Sequence, residues 1–482
     1  MKSGLFSYTI SMSALSEKSR KSVEWCYALG VLGITAASGS VVCFLMFFGT
    51  AVLGLPGTLV GAAFSLSVVW DGFSDPLAGY LSDITKSRSF GRRTGYLVFG
   101  ALLTALFTLL LWQTPGGGTA FRFVWLLVLL LLFQTAVTLF GTPYAALAPE
   151  ICPDPSDQVR LQSKKSLFFI LGNLLPPLLL LIFQLSAGGE DLRYRPEVYR
   201  QMALIIAGLT LVSGLVCALA THPVSRRFPP GPRRSFAAVF GDFVRKLGDP
   251  PFRAVLLGNC FVTVASALLS GVGMHVFTYS FTFSAPEMFW VLGEIFLFVL
   301  LSQPFWVWLS RQRGNAGALR FGLFLTELGA VLLAAGFFLQ AVVPSNPLLI
   351  ALMTPAIVLT GVGIGSTYPL PPAMMFEAIG PGTGETASTV GGMTFVCKLS
   401  QSAAVLLIGC MLDAVGFSAA SAEGGAGLPY GVRLGLVLVL AGGILLSLCL
   451  AGICFRPGGK KKPKEGPSSP DHHAESHRMS GH

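Results

Sequence analysis

Asp71, Asp75 and Lys398 stand inside long apolar runs of the chain, where each charge costs at least about 2.5–3.5 kcal/mol and is rarely idle. Asp71 precedes the loop residue Asp83 by about three helical turns, roughly 18 Å along a helix rising about 1.5 Å per residue. Asp75 follows at i+4, so both carboxylates project from one face. Lys398 lies at similar depth in a distant run. Two carboxylates against one ammonium leave a negative excess, which is what a cation site supplies. A purely structural ion network would leave that excess unmatched. Two nearby acids can share a proton, or release it and take a metal ion such as Na⁺. Thr138, in another apolar run, offers a neutral oxygen ligand, and Glu294 and Glu327 lie nearer the ends of theirs.

The elements that must hold these groups are membrane helices. Only 12% of the 482 residues are charged and 53% are hydrophobic, against about a quarter charged in a soluble chain. A crossing needs about 20 apolar residues. Such runs fall near 23–50, 57–82, 95–113, 122–147, 166–187 and 201–221, then near 254–281, 286–310, 318–341, 347–372, 385–413 and 430–455. The predicted architecture is all-α: a cytoplasmic N-terminus (1–22), two six-helix bundles (23–221 and 254–455) about a basic middle loop (222–253), and a disordered tail (456–482). Of the 33 Lys and Arg, only Arg122, Arg193, Arg195, Arg200 and Arg433 fall on the opposite side, with Lys398 inside a run. That bias places both termini in the cytoplasm.

The net charge of +10 raises nucleic acid as a partner, but the basic residues recur in alternate loops and form no continuous face. The partners expected are lipid, a small solute and a cation, on a monomer in the plasma membrane. Phe236, Val239, Phe240, Phe243 and Leu247 recur at helical spacing in the middle loop, an interfacial helix in pattern. The nine cysteines have no metal or disulfide spacing, and no cofactor other than the coupling ion is expected. A D-x-x-x-D pair also holds Mg²⁺-diphosphate in intramembrane prenyltransferases, but that chemistry needs a second acidic cluster, which the second half lacks. A non-transporting scaffold would need no charge triad at mid-depth. The two halves echo each other in Gly79–Asp83 with Arg92-Arg93, and Trp308–Arg311 with Arg313, as in internally duplicated transporters.

Trp70-Asp-Gly-Phe-Ser-Asp-Pro76 with the basic stretch Lys86–Arg93, Pro143-Tyr-Ala-Ala-Leu-Ala-Pro149, Val244–Arg253 and Val396-Cys-Lys398 resemble the melibiose-permease type. These are the glycoside–pentoside–hexuronide:cation symporters of the major facilitator superfamily, and the similarity runs over most of 23–455. The resemblance implies that Asp71 and Asp75 are the cation carboxylates, Thr138 the hydroxyl ligand and Lys398 the neighbour that shares their charge. It implies a Na⁺- or H⁺-coupled symporter for a sugar or glycoside, not an enzyme. The sugar-gripping carboxylates of that family are replaced here by Thr35 and Gly141, and a nearby tryptophan by Ala145, beside Tyr144. Sodium-dependent lysophospholipid symporters of the same fold keep the acid pair and the lysine, and are the alternative. With Glu294, these residues are the expected cavity wall. Arg92 and Arg93 are expected to lock the inner gate through Asp83 or a carboxylate across the loop.

Overall fold

A computed structural model describes residues 17–85, 91, 93–152, 155–188, 191–225, 241, 244–343, 345–379, 386–417 and 428–455. The loop pattern 236–247, the basic residues 86–90, Arg92, the side chain of Asp83 and the tail 456–482 lie wholly or largely outside the described residues.

Among the described residues every regular element is helical. The first half comprises α1 (Glu17–Phe47), α2 (Gly57–Ile84), α3 (Thr94–Leu111), α4 (Thr119–Ile151), α5 (Pro155–Ser186) and α6 (Pro196–Ser225). The second comprises α7 (Pro250–His275), α8 (Ala285–Leu301), α9 (Gln303–Leu339), α10 (Asn346–Gly365), α11 (Leu370–Ile379), α12 (Thr386–Ala414) and α13 (Tyr430–Cys454). Ten segments are long and apolar enough to cross a membrane, α10 and most of α11 counting as one. Helices α2 and α8 fall outside that set. The first carries Asp71, Asp75 and Asp83, and the second has 17 residues.

Two boundaries differ from the sequence pattern, and a third break falls between the runs expected at 286–310 and 318–341. The run expected at 286–310 breaks at Ser302, ahead of Pro304, whose ring cannot continue the hydrogen-bond ladder. Helix α9 breaks in turn at Gly314, whose φ of 72° lies in the left-handed region. The run expected at 347–372 stops at Gly365, and the chain restarts as α11 ahead of Pro371-Pro372.

The duplication is clearest in a backbone detail. Helices α1 and α7 both end in five residues of π-helix, Phe48–Val52 and Val276–Ser280. In each the next amide bonds back, Leu53 to Phe48 O at 2.8 Å and Phe281 to Val276 O at 3.0 Å. A residue of positive φ follows, Gly54 at 66° and Thr282 at 54°. The same break thus turns the chain into α2 and into α8.

Inside the bilayer, association rests on close packing rather than on the hydrophobic effect, so small residues mark the crossings. A Cβ placed on Gly33 of α1 would sit 2.2 Å from Thr210 Cα of α6, whose hydroxyl donates to Gly33 O at 3.0 Å. Gly33→Val is expected to part these helices and destabilise the first half by about 1–3 kcal/mol, read as a lower melting temperature in detergent. An unchanged melting temperature would contradict this crossing.

Candidate functional site

Asp71 and Asp75 lie one turn apart on α2, and α4 lays Thr135, Thr138 and Thr142 beside them at matching spacing. Trp70 Nε1 donates to Thr135 Oγ1 at 2.8 Å, Thr138 Oγ1 to Asp71 Oδ1 at 2.6 Å and Thr142 Oγ1 to Asp75 Oδ1 at 3.3 Å. Ser74 Oγ donates to Thr138 Oγ1 at 3.3 Å. One oxygen of each carboxylate is therefore held by a hydroxyl of the first half. The other is held from the second half. Lys398 Nζ of α12 lies 2.7 Å from Asp71 Oδ2 and also bonds Asp75 Oδ2. The three side chains are 14%, 32% and 20% exposed for Asp71, Asp75 and Lys398.

The sequence named Asp71, Asp75, Thr138 and Lys398, and the structure brings all four together. It missed Thr142 and Ser74. The signal for Thr142 was available, because a ligand at Thr138 opposite Asp71 puts its i+4 neighbour opposite Asp75. Chemically the cluster is a set of carboxylate and hydroxyl oxygens, the donor type that hard cations take, with an ammonium among them. One ammonium balances one carboxylate, so the cluster carries a net negative charge when both acids are ionised.

A second set of contacts closes the halves where α2 begins. Gly57 N and Thr58 N donate to Asp413 Oδ1 and Oδ2 of α12 at 2.9 and 2.8 Å, and the Thr58 hydroxyl bonds the same carboxylate. Asp413 thereby caps a helix that starts without a side-chain cap of its own. Below it α2 and α12 touch backbone to backbone, and a Cβ on Gly409 would lie 2.3 Å from Gly57 O. The Ser65 and Ser402 hydroxyls meet at 2.6 Å. Arg193 reaches from the first half to Thr278 Oγ1 and Phe283 O at 3.0 and 2.9 Å, and Thr50 Oγ1 meets His275 Nε2 at 3.0 Å. Sequence reasoning missed this clamp, because Asp413 ends an apolar run and reads as an ordinary exit residue.

Other expected residues fall elsewhere. Arg93 is buried and pairs with Glu150 of α4 at 2.8 Å, while its amide donates to Ser225 Oγ at 2.8 Å. It joins α3, α4 and α6 within one half, using a carboxylate across the loop; its expected companions Arg92 and the Asp83 side chain lie outside the described residues. The nearby Glu24 is fully buried, with Lys164 at 2.7 Å.

A cavity of about 480 Å³ lies mainly among the helices of the second half, with Phe44 of α1 and Pro177 of α5 on its wall. Cys397 and Gln401 of α12, which flank Lys398, also line it, and among the described residues no lining residue is charged. None of the five expected wall residues lines it. Thr35 turns its hydroxyl onto Val31 O at 2.8 Å and packs on Gly172. Tyr144 stacks on Tyr27 at 4.3 Å, and each hydroxyl donates to the other's carbonyl. Gly141 and Ala145 stand on the same helix, Gly141 partly covered and Ala145 exposed. Glu294 has one buried oxygen without a partner among the described residues. Thr35 and Tyr144 thus spend their hydroxyls on backbone carbonyls of the first half.

Residues 26–457 match the family described as MFS/sugar transport protein. The chain belongs to that family. A symporter of Synechocystis is 30% identical over 44% of this chain and 39% of its own length. An uncharacterized symporter of Bacillus subtilis is 26% identical over 91% of this chain and 92% of its own. The sodium-dependent lysophosphatidylcholine symporter 1 of Xenopus tropicalis is 23% identical, covering 73% and 70%, and the isoprimeverose transporter of Lactiplantibacillus pentosus is 21% identical, covering 83% and 82%. A bacterial homologue of the human lysosomal transporter Spinster, in an inward-facing and unoccupied conformation, superposes with a TM-score of 0.62 at 15% identity, covering 92% and 97%. The chain is therefore a multi-pass membrane transporter of the major facilitator fold, not an enzyme.

The clamp gives a direct test. Each charge-assisted bond to Asp413 is worth about 1.5–3 kcal/mol. Asp413→Ala is expected to loosen α2 from α12, so that Ser65→Cys reacts several-fold faster with an impermeant maleimide added from the side where α2 begins. Equal labelling rates with and without Asp413 would show that the clamp does not hold the halves.

Proposed function

We propose that this transporter is a Na⁺-coupled symporter for an amphipathic solute, worked by alternating access. The observation that carries the coupling is Lys398 of one half bonded to both Asp71 and Asp75 of the other. A cation entering between the carboxylates, with Thr138 and Thr142 as hydroxyl neighbours, competes for the oxygens that hold the ammonium. The ion thus loosens a charged tie across the middle of the molecule, and the halves become free to rock. In this reading α2 and α8 supply the eleventh and twelfth crossings. The basic loops then face the cytoplasm, and the Asp413 clamp seals the external side of the conformer seen here.

The cavity supports the choice of solute. Sugar recognition needs fixed polar groups, and the wall is dominated by residues such as Leu292, Ile295, Phe296 and Leu323, without a charge. Its size is about that of a cleft for a drug-sized ligand, in the range ~300–1,000 Å³. A relative named for sodium-dependent lysophosphatidylcholine symport is in keeping with this. The family description and the isoprimeverose transporter favour a second reading, a glycoside with an apolar aglycone.

Uptake of labelled lysophosphatidylcholine, isoprimeverose and an alkyl glycoside, with and without a Na⁺ gradient, separates these readings. Na⁺-driven accumulation of the lysolipid is expected, falling at least about tenfold in Asp71→Asn, since a neutral amide removes one of the two charges the ion requires. Accumulation of isoprimeverose alone would transfer the function to sugars. Uptake that follows pH and ignores Na⁺ would make the coupling ion a proton. Indifference to both would refute coupling.

A further inference from the structure

The cavity wall holds one buried side chain, an asparagine, whose polar atoms have no partner among the described residues. Asn259 of α7 lines the cavity and is only 4% exposed. Neither its Oδ1 nor its Nδ2 has a hydrogen-bond partner among the described residues. Several hydroxyls on the same wall are already satisfied by their own helices. Thr263 donates to Asn259 O at 2.8 Å, Ser266 to Val262 O at 3.0 Å, Thr326 to Gly322 O at 3.1 Å and Thr367 to Ile364 O at 2.8 Å. Buried polar groups in folded proteins are nearly always paired, and an exception calls for an explanation; Asn259 differs from the other buried unpaired groups in lining the cavity, where a bound molecule can reach it.

We propose that Asn259 seats an uncharged hydrogen-bonding group of the solute, a hydroxyl above all. A hydroxyl donates to Oδ1 while its oxygen accepts from Nδ2, so one group satisfies both halves of the amide. A phosphate or carboxylate would take Nδ2 and leave Oδ1 unpaired, and an ammonium would do the reverse. The absence of any charged residue among the described residues of the wall argues the same way. The solute so defined lays an apolar chain against the aliphatic and aromatic wall and turns one hydroxyl towards α7. This assignment rests on the reading of the cavity as the site of an amphipathic solute.

The test pairs a substitution with a change in the ligand. KM is measured for Na⁺-driven uptake of 1-oleoyl-lysophosphatidylcholine and of its 2-O-methyl ether, both presented on serum albumin, in cells expressing the full chain or Asn259→Leu. Methylation is expected to raise KM of the wild type about ten- to a hundredfold, the cost of one lost hydrogen bond with an amide left unpaired. In Asn259→Leu it should change KM less than about twofold, because there is no amide to leave unpaired. Purified Asn259→Leu without lipid should melt no lower than the wild type, since no bond of the empty protein is removed. A clear fall in melting temperature, or failure to fold, would make Asn259 a structural residue and overturn the assignment. Equal methylation penalties in the two working proteins would overturn it as well, while leaving the amphiphile reading intact. Uptake of neither lipid by the wild type would overturn that reading, and the role of Asn259 with it.

Discussion

The ammonium of Lys398 between Asp71 and Asp75 is the constraint around which the two halves are arranged. Burying three charges is expensive, and removing one partner of such a group costs several kcal/mol because a bare charge is left behind. The arrangement is therefore stable only while α2 and α12 lie side by side. Everything along that seam permits the approach: Gly72 accommodates the ring of Phe395, Ser65 and Ser402 share a hydrogen bond, and Gly57 and Gly61 meet the backbone about Gly409. The hydroxyls of α4 fix the carboxylates from behind, so their free oxygens can only point across the seam.

That geometry separates two tasks. The acid pair and Lys398 sit on the seam, and among the described residues the neighbouring cavity has no charged lining. On the proposed function, the ion and the solute thus meet different surfaces of one helix, α12, with Lys398 between cavity residues Cys397 and Gln401. A change in what holds Lys398 reaches the cavity wall through a single helical turn. Linkage then works in both directions: a solute that prefers the loosened arrangement must raise cation affinity by the factor by which the cation raises its own. The far end of the same two helices carries Asp413 on the start of α2, so one pair of helices bears both the central tie and the closure.

Much of this was legible in the amino-acid sequence, and the failures have a common cause. Charges inside apolar runs are conspicuous because lipid penalises them, so Asp71, Asp75 and Lys398 stood out. The i+4 spacing of the aspartates gave their common face. Thr138 was named as a ligand, and Thr142, four residues on, was open to the same argument but was not drawn from it. Residues whose importance lies in direction were not readable. Thr35, which the resemblance sets at a sugar position, and its expected neighbour Tyr144 spend their side chains on their own half. Asn259 attracted no notice, because an asparagine in an apolar helix becomes informative only when its partners can be counted. The π-helical turns ending α1 and α7 carry no common sequence signature, although they are the best evidence of duplication in the backbone.

The central claim is that the cation and Lys398 compete for the same carboxylate oxygens, and ²²Na⁺ binding to the purified protein tests it most directly. The account predicts saturable binding by the wild type, loss of binding in Asp71→Asn, and binding at least as tight in Lys398→Gln, where the resident competitor is gone. Unchanged binding in Asp71→Asn, or binding abolished by Lys398→Gln, would contradict it.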